Sequence, residues 1–343
     1  MPKVPPPLPE EKDALIQLAR GIVLAQGNAF IKELLRERGI RIGVTKAEFE
    51  QNMLAAIQSG ELQREHIESW LNEVEGWGDQ HVYIYTIPSA VRKTMRDPTA
   101  MEQKVKAAGL LELWNKNLSL DFPRQRTLSG INLRNGELVF VWHQGKEFAI
   151  RRKEMDRRED INGDLYEFRA YRIRSDRSVT RFVARPGDGL AAIFVQTAWE
   201  EDEHKALIRD VRDVVNRVVP FDDLQHLVIE KAIKKFDDQA LNKAGVIAQA
   251  TRLSAAGAYV EFVSTSSSAG YQDIGPVRDV RRAVQPRSFK GTNGNFLLQC
   301  GDSEGEMRRV RVQLYGEERR VRLTHQMTAS EVWSVIEMIR ANV

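Results

Sequence analysis

Residues 308–323 read Arg308-Arg-Val-Arg-Val-Gln-Leu-Tyr315-Gly-Glu-Glu-Arg-Arg-Val-Arg-Leu323. Val310, Val312 and Leu314 alternate with Arg309, Arg311 and Gln313; past the Gly316-Glu-Glu turn, Val321 and Leu323 alternate with Arg320 and Arg322. A period of two marks a strand with one face on a core and the other in water. The stretch therefore predicts an antiparallel hairpin, apolar on one face and carrying four arginines on the other. Like charges directly opposite on a sheet cost a few tenths to about 1 kcal/mol, so such a face is best understood as meeting phosphate or an acidic partner. Glu304, Glu306, Glu317 and Glu318 stand close enough in sequence to neutralise it instead.

Further strands are expected upstream. Phe296 to Cys300 precedes the hairpin, and Val246 to Ala250 and Ala258 to Ser264 read as extended. Ile131 to Leu133 and Leu138 to Trp142 flank Asn135-Gly136, the strongest short hairpin signal. Phe148 to Arg152, Leu165 to Ile173 and Val179 to Ala184 continue that sheet, with turns expected at 160–164 and 175–178. Helices alternate with these segments: Ser89 to Asn117, broken near Asp97-Pro98 and Gly109; Glu200 to Val219, ended by Pro220; Asp222 or Asp223 to Phe236; and Ser330 to Asn342. The acidic start at 200–203 suits the positive end of a helix dipole, and 264–270 has the composition of a loop.

The N-terminal portion has helical spacing throughout. Helices are expected over Glu10–Ala25, Ala29–Arg38, Thr45–Gln58 and Gln63–Gly76, the third opened by Thr45 as N-cap with Glu48 as its capping-box partner. The fold class is α+β, in three segments: a helical module at 1–78, an α+β domain with an Arg-rich sheet at 79–252, and a β-rich domain with a closing helix at 253–343. The chain of 343 residues is long enough for two or three domains.

Composition narrows the function classes. With 42% hydrophobic and 29% charged residues the chain is an ordinary globular one, and no apolar run reaches membrane-spanning length. The start, MPKVPPPLP, lacks the pattern of a secretory signal, and the lone Cys300 forms no intrachain disulfide. A cytoplasmic protein is expected, at the nucleoid or in the nucleus if bound to DNA. Net charge is only +3, but it is uneven: residues 121–190 carry 15 basic and 11 acidic groups, 271–343 carry 12 and 9, and the remaining segments are slightly acidic. The excess lies in β-rich segments and is mostly Arg, whose planar fork suits phosphate.

Chemistry-bearing motifs are sparse. The six histidines show no metal spacing, Asp160-Ile-Asn-Gly163 would place Arg158 and Arg169 at calcium-ligand positions, and Lys290-Gly-Thr-Asn-Gly294 lacks the GK[ST] of a phosphate-cradling loop. No catalytic residue, metal or cofactor is expected. In the middle segment Arg169, Arg172, Arg174 and Arg181 are interleaved with Phe168, Tyr171 and Phe182, a composition suited to contact with a nucleic-acid backbone.

In residues 30–49, Leu34 and Gly39-Ile40 end one helix and Thr45-Lys46 opens the next, with Phe49 three positions after the lysine. This resembles the SAP motif, a helix-extended-helix DNA-binding unit, over about thirty residues; it departs at Gly43-Val44, where SAP motifs place a small residue and then Gly. The resemblance implies DNA contact by Lys32, Arg36, Arg38, Arg41 and Lys46, with phosphate at the second helix's N-terminus. A looser likeness, of order and spacing, runs from Thr45-Lys-Ala-Glu48 through Asp79-Gln-His81 and Lys116-Asn-Leu-Ser-Leu120 to Val139-Phe-Val-Trp142. That layout is similar to the centromere protein N family and implies DNA binding by helical module and sheet together.

The expected function is non-enzymatic binding of nucleic acid, duplex DNA before RNA, through phosphate contacts of the residues named above together with Arg309, Arg311, Arg320 and Arg322. The rival expectation is a subunit of a larger complex whose Arg faces meet an acidic protein.

Overall fold

The computed structural model describes residues 9–25, 28–77, 79–116, 123–196, 201–242, 245–255, 257–266, 268–283, 289–301, 307–324 and 327–343. Several expectations fall outside these: the proline-rich start, Asn117 to Leu120, Glu200, Glu304, Glu306 and His325. The chain separates into two compact units, one formed by 1–71, 118–129 and 142–179, the other by 72–117, 130–141 and 180–343. The boundary expected at 252/253 falls inside a strand.

In the first unit, α1 (Pro9–Ala25), α2 (Asn28–Glu37), α3 (Lys46–Ser59) and the first half of α4 (Arg64–Trp77) form the expected helical module. Leu15, Leu18, Ile22, Leu35, Phe49, Met53, Ile57 and Ile67 are fully buried in it, each large side chain contributing about 1.5–3 kcal/mol. Thr45 caps α3 as expected: its hydroxyl accepts from the Glu48 amide at 3.2 Å, and the Glu48 carboxylate reaches back to the Thr45 amide at 3.3 Å. The same unit holds β4 (Arg157–Ile161) and β5 (Asp164–Phe168), a separate two-stranded hairpin turned by Asn162 and Gly163 at positive φ.

Two long strands, β3 (Glu137–Arg151) and β6 (Tyr171–Arg185), are divided between the units. β3 replaces two of the shorter strands expected; β6 joins the end of the expected Leu165–Ile173, whose start is β5, to Val179–Ala184, and 175–178, read as a turn, lies within it. Its polar residues carry a turn composition but sit on a strand whose apolar ends, Tyr171 to Ile173 and Val179 to Val183, keep the extended backbone continuous.

The second unit is built on one sheet. Its strands are β1 (Gln80–Thr86), the larger part of β2 (Thr127–Arg134), the first part of β3, the end of β6, β7 (Leu190–Gln196), β8 (Gln225–His226), β9 (Val246–Ala255), β10 (Ala258–Val263), β11 (Lys290–Gly301), β12 (Met307–Tyr315) and β13 (Arg320–Leu323). The order is β10-β9-β11-β12-β13-β1-β7-β6-β3-β2, with β8 on β1. Asn135-Gly136 turns β2 into β3 at positive φ, as its composition demands. Helices α5 (Ser89–Met95), α6 (Pro98–Ala107), α7 (Glu201–Val215), α8 (Ile229–Leu241), α9 (Gly275–Ala283) and α10 (Ala329–Ala341) complete the unit, and the fold is α+β.

One sheet face makes the core. Val82, Ile84, Phe194, Phe296, Leu298, Val310, Val312, Leu314, Val321 and Leu323 pack with Ala232, Ile233 and Phe236 of α8 and Val332, Trp333, Ile336 and Ile339 of α10. The rings of Phe236 and Phe296 meet edge to face at 5.5 Å. Gly316 belongs here for a steric reason: a Cβ would lie 2.3 Å from the Gly291 carbonyl oxygen.

Helix α8 begins at Ile229, later than Asp222 or Asp223. The Asp222 carboxylate instead accepts from Arg212 at 2.6 Å and Asn216 at 3.2 Å, Phe221–Asp223 is a single 3-10 turn, and Gln225–His226 pairs with β1. Strand β7 and helix α9 were not expected from the sequence. Residues 290–294, read as a glycine-rich loop, open β11.

Candidate nucleic-acid interface

The hairpin of β12 and β13 forms antiparallel with the expected alternation, but its neighbours change the meaning of its arginines. Tyr315 stands opposite Arg320, and Gln313 opposite Arg322. On the other side of β12, Arg311 faces Leu297 and Arg309 faces Gln299 of β11. The arginines are therefore not paired against one another, and the like-charge penalty expected of this face is not incurred.

Followed across the strands, the register defines rows on the face opposite the core. One row runs Val263, Ala250, Asn295, Gln313, Arg322, His81 from β10 to β1. The next runs Glu261, Arg252, Asn293, Tyr315, Arg320. On the other side lie Ile247, Leu297 and Arg311, then Gln299 and Arg309. Two carboxamides thus sit centrally, with guanidinium groups on both sides. Lys290, Asn293, Gln299 and Arg309 are exposed, as are Tyr259 at 63% and Val263 at 60% on β10, so this part of the face is open to solvent.

Several of these cations are held in place. The Arg320 guanidinium lies 4.3 Å from the centre of the Tyr315 ring, donates to His81 Nδ1 at 3.0 Å and is ion-paired to Glu318, which fulfils part of the neutralisation weighed from the sequence. Arg322 approaches Asp79 at 3.6 Å, and Arg252 bonds Glu261 at 3.0 Å while lying 4.8 Å from the Tyr259 ring. Tyr315 donates to Gln313 Oε1 at 3.0 Å. Among the described residues, Asn295 Oδ1 and the Nε atoms of Arg252, Arg320 and Arg322 lie below the surface without hydrogen-bond partners. This is unused polar capacity that normally finds a partner.

His81 lies beneath this cluster. Burial first, then the charges of Arg320, His204 and Arg322, push its pKa down to about 3, so it stays a neutral acceptor for Arg320. Its ring meets that of His204 edge to face at 4.7 Å, and Tyr83 Oη lies 3.3 Å from His204 Nδ1. Two histidines are brought together here, but no group of three metal-ligating side chains occurs among the described residues.

The other candidate residues are distributed differently. Arg181 points to the core side: its guanidinium stacks 4.3 Å from Trp77 and 5.4 Å from Phe194 and donates to the Gly76 carbonyl. It is a structural cation, not part of the open face. Arg169 and Arg172 are exposed in the first unit, Arg169 4.0 Å from Glu167; the side chain of Arg174 lies outside the described residues. Of the interleaved aromatics, Phe182 is buried while Phe168 and Tyr171 are outward.

In the SAP-like stretch, Arg36, Arg38 and Arg41 are exposed, and Lys32 and Lys46 are half-buried. The start of α3 already holds an anion. Glu48 accepts from Val44 at 2.5 Å as well as from Thr45, and these amides hold its carboxyl below the usual carboxylate range. A Cβ on Gly43 would come within 2.5 Å of that side chain, which accounts for the glycine where the motif departs. The amides expected to bind phosphate are thus partly occupied by a side chain.

Residues of the open face that sequence reasoning missed are Arg252, Lys290, Asn295, Gln299 and Tyr315, together with the buried His81 beneath it. Their alternation within each strand was readable; their convergence depends on strand order, which no local pattern encodes. No protein-family model and no curated protein matches this sequence.

Proposed function

We propose that the protein binds nucleic acid through phosphate contacts from the open face of β9, β11, β12 and β13. The observation that carries this is the convergence of Arg252, Lys290, Arg309, Arg311 and Arg322 on one sheet face of a chain whose net charge is only +3. Arginine concentrated this way gives a local positive potential and forked donors suited to phosphate oxygens. The basic SAP-like stretch is proposed as a secondary contact, through side chains more than through the α3 amides. Phosphate contacts carry no sequence information, so unrelated sequences should bind alike.

About five such contacts correspond to a loss of roughly 10²- to 10³-fold in affinity between 50 and 200 mM salt. The test is fluorescence polarisation with a labelled 30-nucleotide strand and a 30-base-pair duplex. Binding that weakens with salt by this amount, and weakens at every sequence in Arg309→Ala/Arg311→Ala, is expected. Absence of binding to both forms at 50 mM salt would overturn the proposal.

A second reading, contact with protein, is favoured by the β4–β5 hairpin. Leu165 and Ile161, with Tyr166, Phe168 and the neighbouring Met155, are exposed, while Arg151, Arg152, Arg157 and Arg169 already meet Asp156, Glu154, Glu159 and Glu167. By register Ile161, Tyr166 and Phe168 share one face of the hairpin and Leu165 lies on the other; apolar groups exposed on both faces beside internally paired charges suit a protein surface better than a polyanion. On this reading neither nucleic acid binds, and the chain forms a stable complex that Leu165→Asp/Tyr166→Asp abolishes.

A further inference from the structure

Resting on the nucleic-acid reading, we infer that the open sheet face takes a single strand, laid with its bases against Asn295, Gln313 and Tyr315, in preference to the duplex expected from the sequence. The width of the face favours a single strand. From β10 to β13 the face is five strands across, about 19 Å at the usual spacing of ~4.8 Å, whereas a B-DNA major groove is about 12 Å wide. The face is too broad to enter that groove. Against an intact duplex it reaches phosphates on the outside of the helix, and its central side chains have no base edge to meet.

The side chains at its centre favour a single strand as well. Asn295 and Gln313 are directly paired across β11 and β12, Gln313 continues to Arg322 on β13, and Tyr315 and Leu297 flank the pair along their strands. Carboxamides present a donor and an acceptor together, the pattern complementary to an unpaired base, and an aromatic ring accepts any base by stacking. Charge occupies the surroundings: Arg309 and Arg311 on one side of the row, Arg252 and Lys290 on the other. A strand crossing the face would set phosphates against these and bases on the middle. A site for backbone alone needs no such amide pair.

The test compares three labelled probes of equal length at 100 mM salt: a 30-nucleotide mixed-sequence strand, the corresponding duplex, and a 30-unit abasic strand that keeps the phosphates and lacks the bases. The base-bearing strand should bind at least about tenfold more tightly than either other probe, given the usual worth of base–aromatic and base–amide contacts. Asn295→Ala/Gln313→Ala should weaken binding of that strand several-fold while leaving the abasic strand and the duplex unchanged; Arg309→Ala/Arg311→Ala should weaken all three. Both amides lie on the surface side of the sheet, and the abasic comparison uses the unaltered protein, so misfolding of a variant does not decide the result. Equal affinity for base-bearing and abasic strands, or tighter binding of duplex, would overturn the single-strand inference while leaving phosphate binding standing. Failure to bind any probe at low salt would overturn both.

Discussion

Arg320 and His81 meet through a single hydrogen bond, guanidinium Nη1 to imidazole Nδ1 at 3.0 Å, that fixes the inner border of the open face. Residues 239 positions apart are joined because β13 pairs with β1. The bond requires His81 to be neutral: a proton on Nδ1 would remove the acceptor and set a third positive charge beside Arg320 and Arg322.

Stability should therefore depend on pH in a defined direction. Folded His81 has its pKa pushed down to about 3 and His226 to about 4, both chiefly by burial, against about 6.5 when unfolded. The unfolded chain takes up protons first, so stability is full above about pH 6.5 and falls as pH drops toward 3–4, by up to about 1.4 kcal/mol per pH unit for each histidine. Urea unfolding at pH 7 and pH 5 measures this. His81→Gln, which keeps an acceptor for Arg320 and cannot be protonated, should flatten part of the difference; an unchanged difference would mean that His81 contributes none of it.

Arg181 should behave as a core residue. Removing a guanidinium that lies over Trp77 and beside Phe194 is expected to cost about 1–3 kcal/mol in Arg181→Ala. Nucleic-acid affinity, measured below the onset of unfolding, should stay at the wild-type value. The opposite pattern, intact stability with weakened binding, would place it in the interface as the sequence suggested.

A buried ion pair ties α9 to the core. Arg281 of α9 donates Nε to Asp237 of α8 at 2.5 Å, both side chains are almost wholly enclosed, and Tyr271 also donates to Asp237. Burial raises the Asp237 pKa while Arg281 lowers it. Arg281→Met leaves a buried carboxylate without its cation and should cost about 3–5 kcal/mol. Adding Asp237→Leu should recover most of that loss in denaturant titrations, because the expense lies in the unpaired charge.

The α3 cap gives a local test. Thr45→Ala removes the hydroxyl that accepts from the Glu48 amide and should destabilise by about 1 kcal/mol, read as a lowered urea midpoint.

The capping box, the Asn135-Gly136 turn and the 308–323 hairpin were all legible in the sequence because each is decided within a few residues: a side-chain oxygen three positions from its amide, two residues that tolerate positive φ, an alternation of period two. Strand β7 escaped because its run, Leu-Ala-Ala-Ile-Phe-Val, is buried on both faces and shows no alternation. Helix α9 escaped because its fully buried member is Arg281, an apolar position occupied by a charge whose partner lies 44 residues away. The candidate site was half legible for the same reason. Arg309, Arg311, Arg320 and Arg322 could be assigned to one face of one hairpin, whereas Asn295, Arg252 and His81 join them only through pairings between distant strands. Arg181 misled because its strand alternation is genuine but its inward position is filled by a cation stacked on aromatics.

Phosphate binding by the open sheet face is tested most directly by a polarisation titration of wild type and Arg309→Ala/Arg311→Ala with a labelled 30-nucleotide strand between 50 and 200 mM salt. Wild-type affinity is expected to fall roughly 10²- to 10³-fold over that range, and the variant to bind more weakly with a slope shallower by about two contacts. Equal affinity and equal slope for the two proteins, or no binding by the wild type at 50 mM, would contradict it.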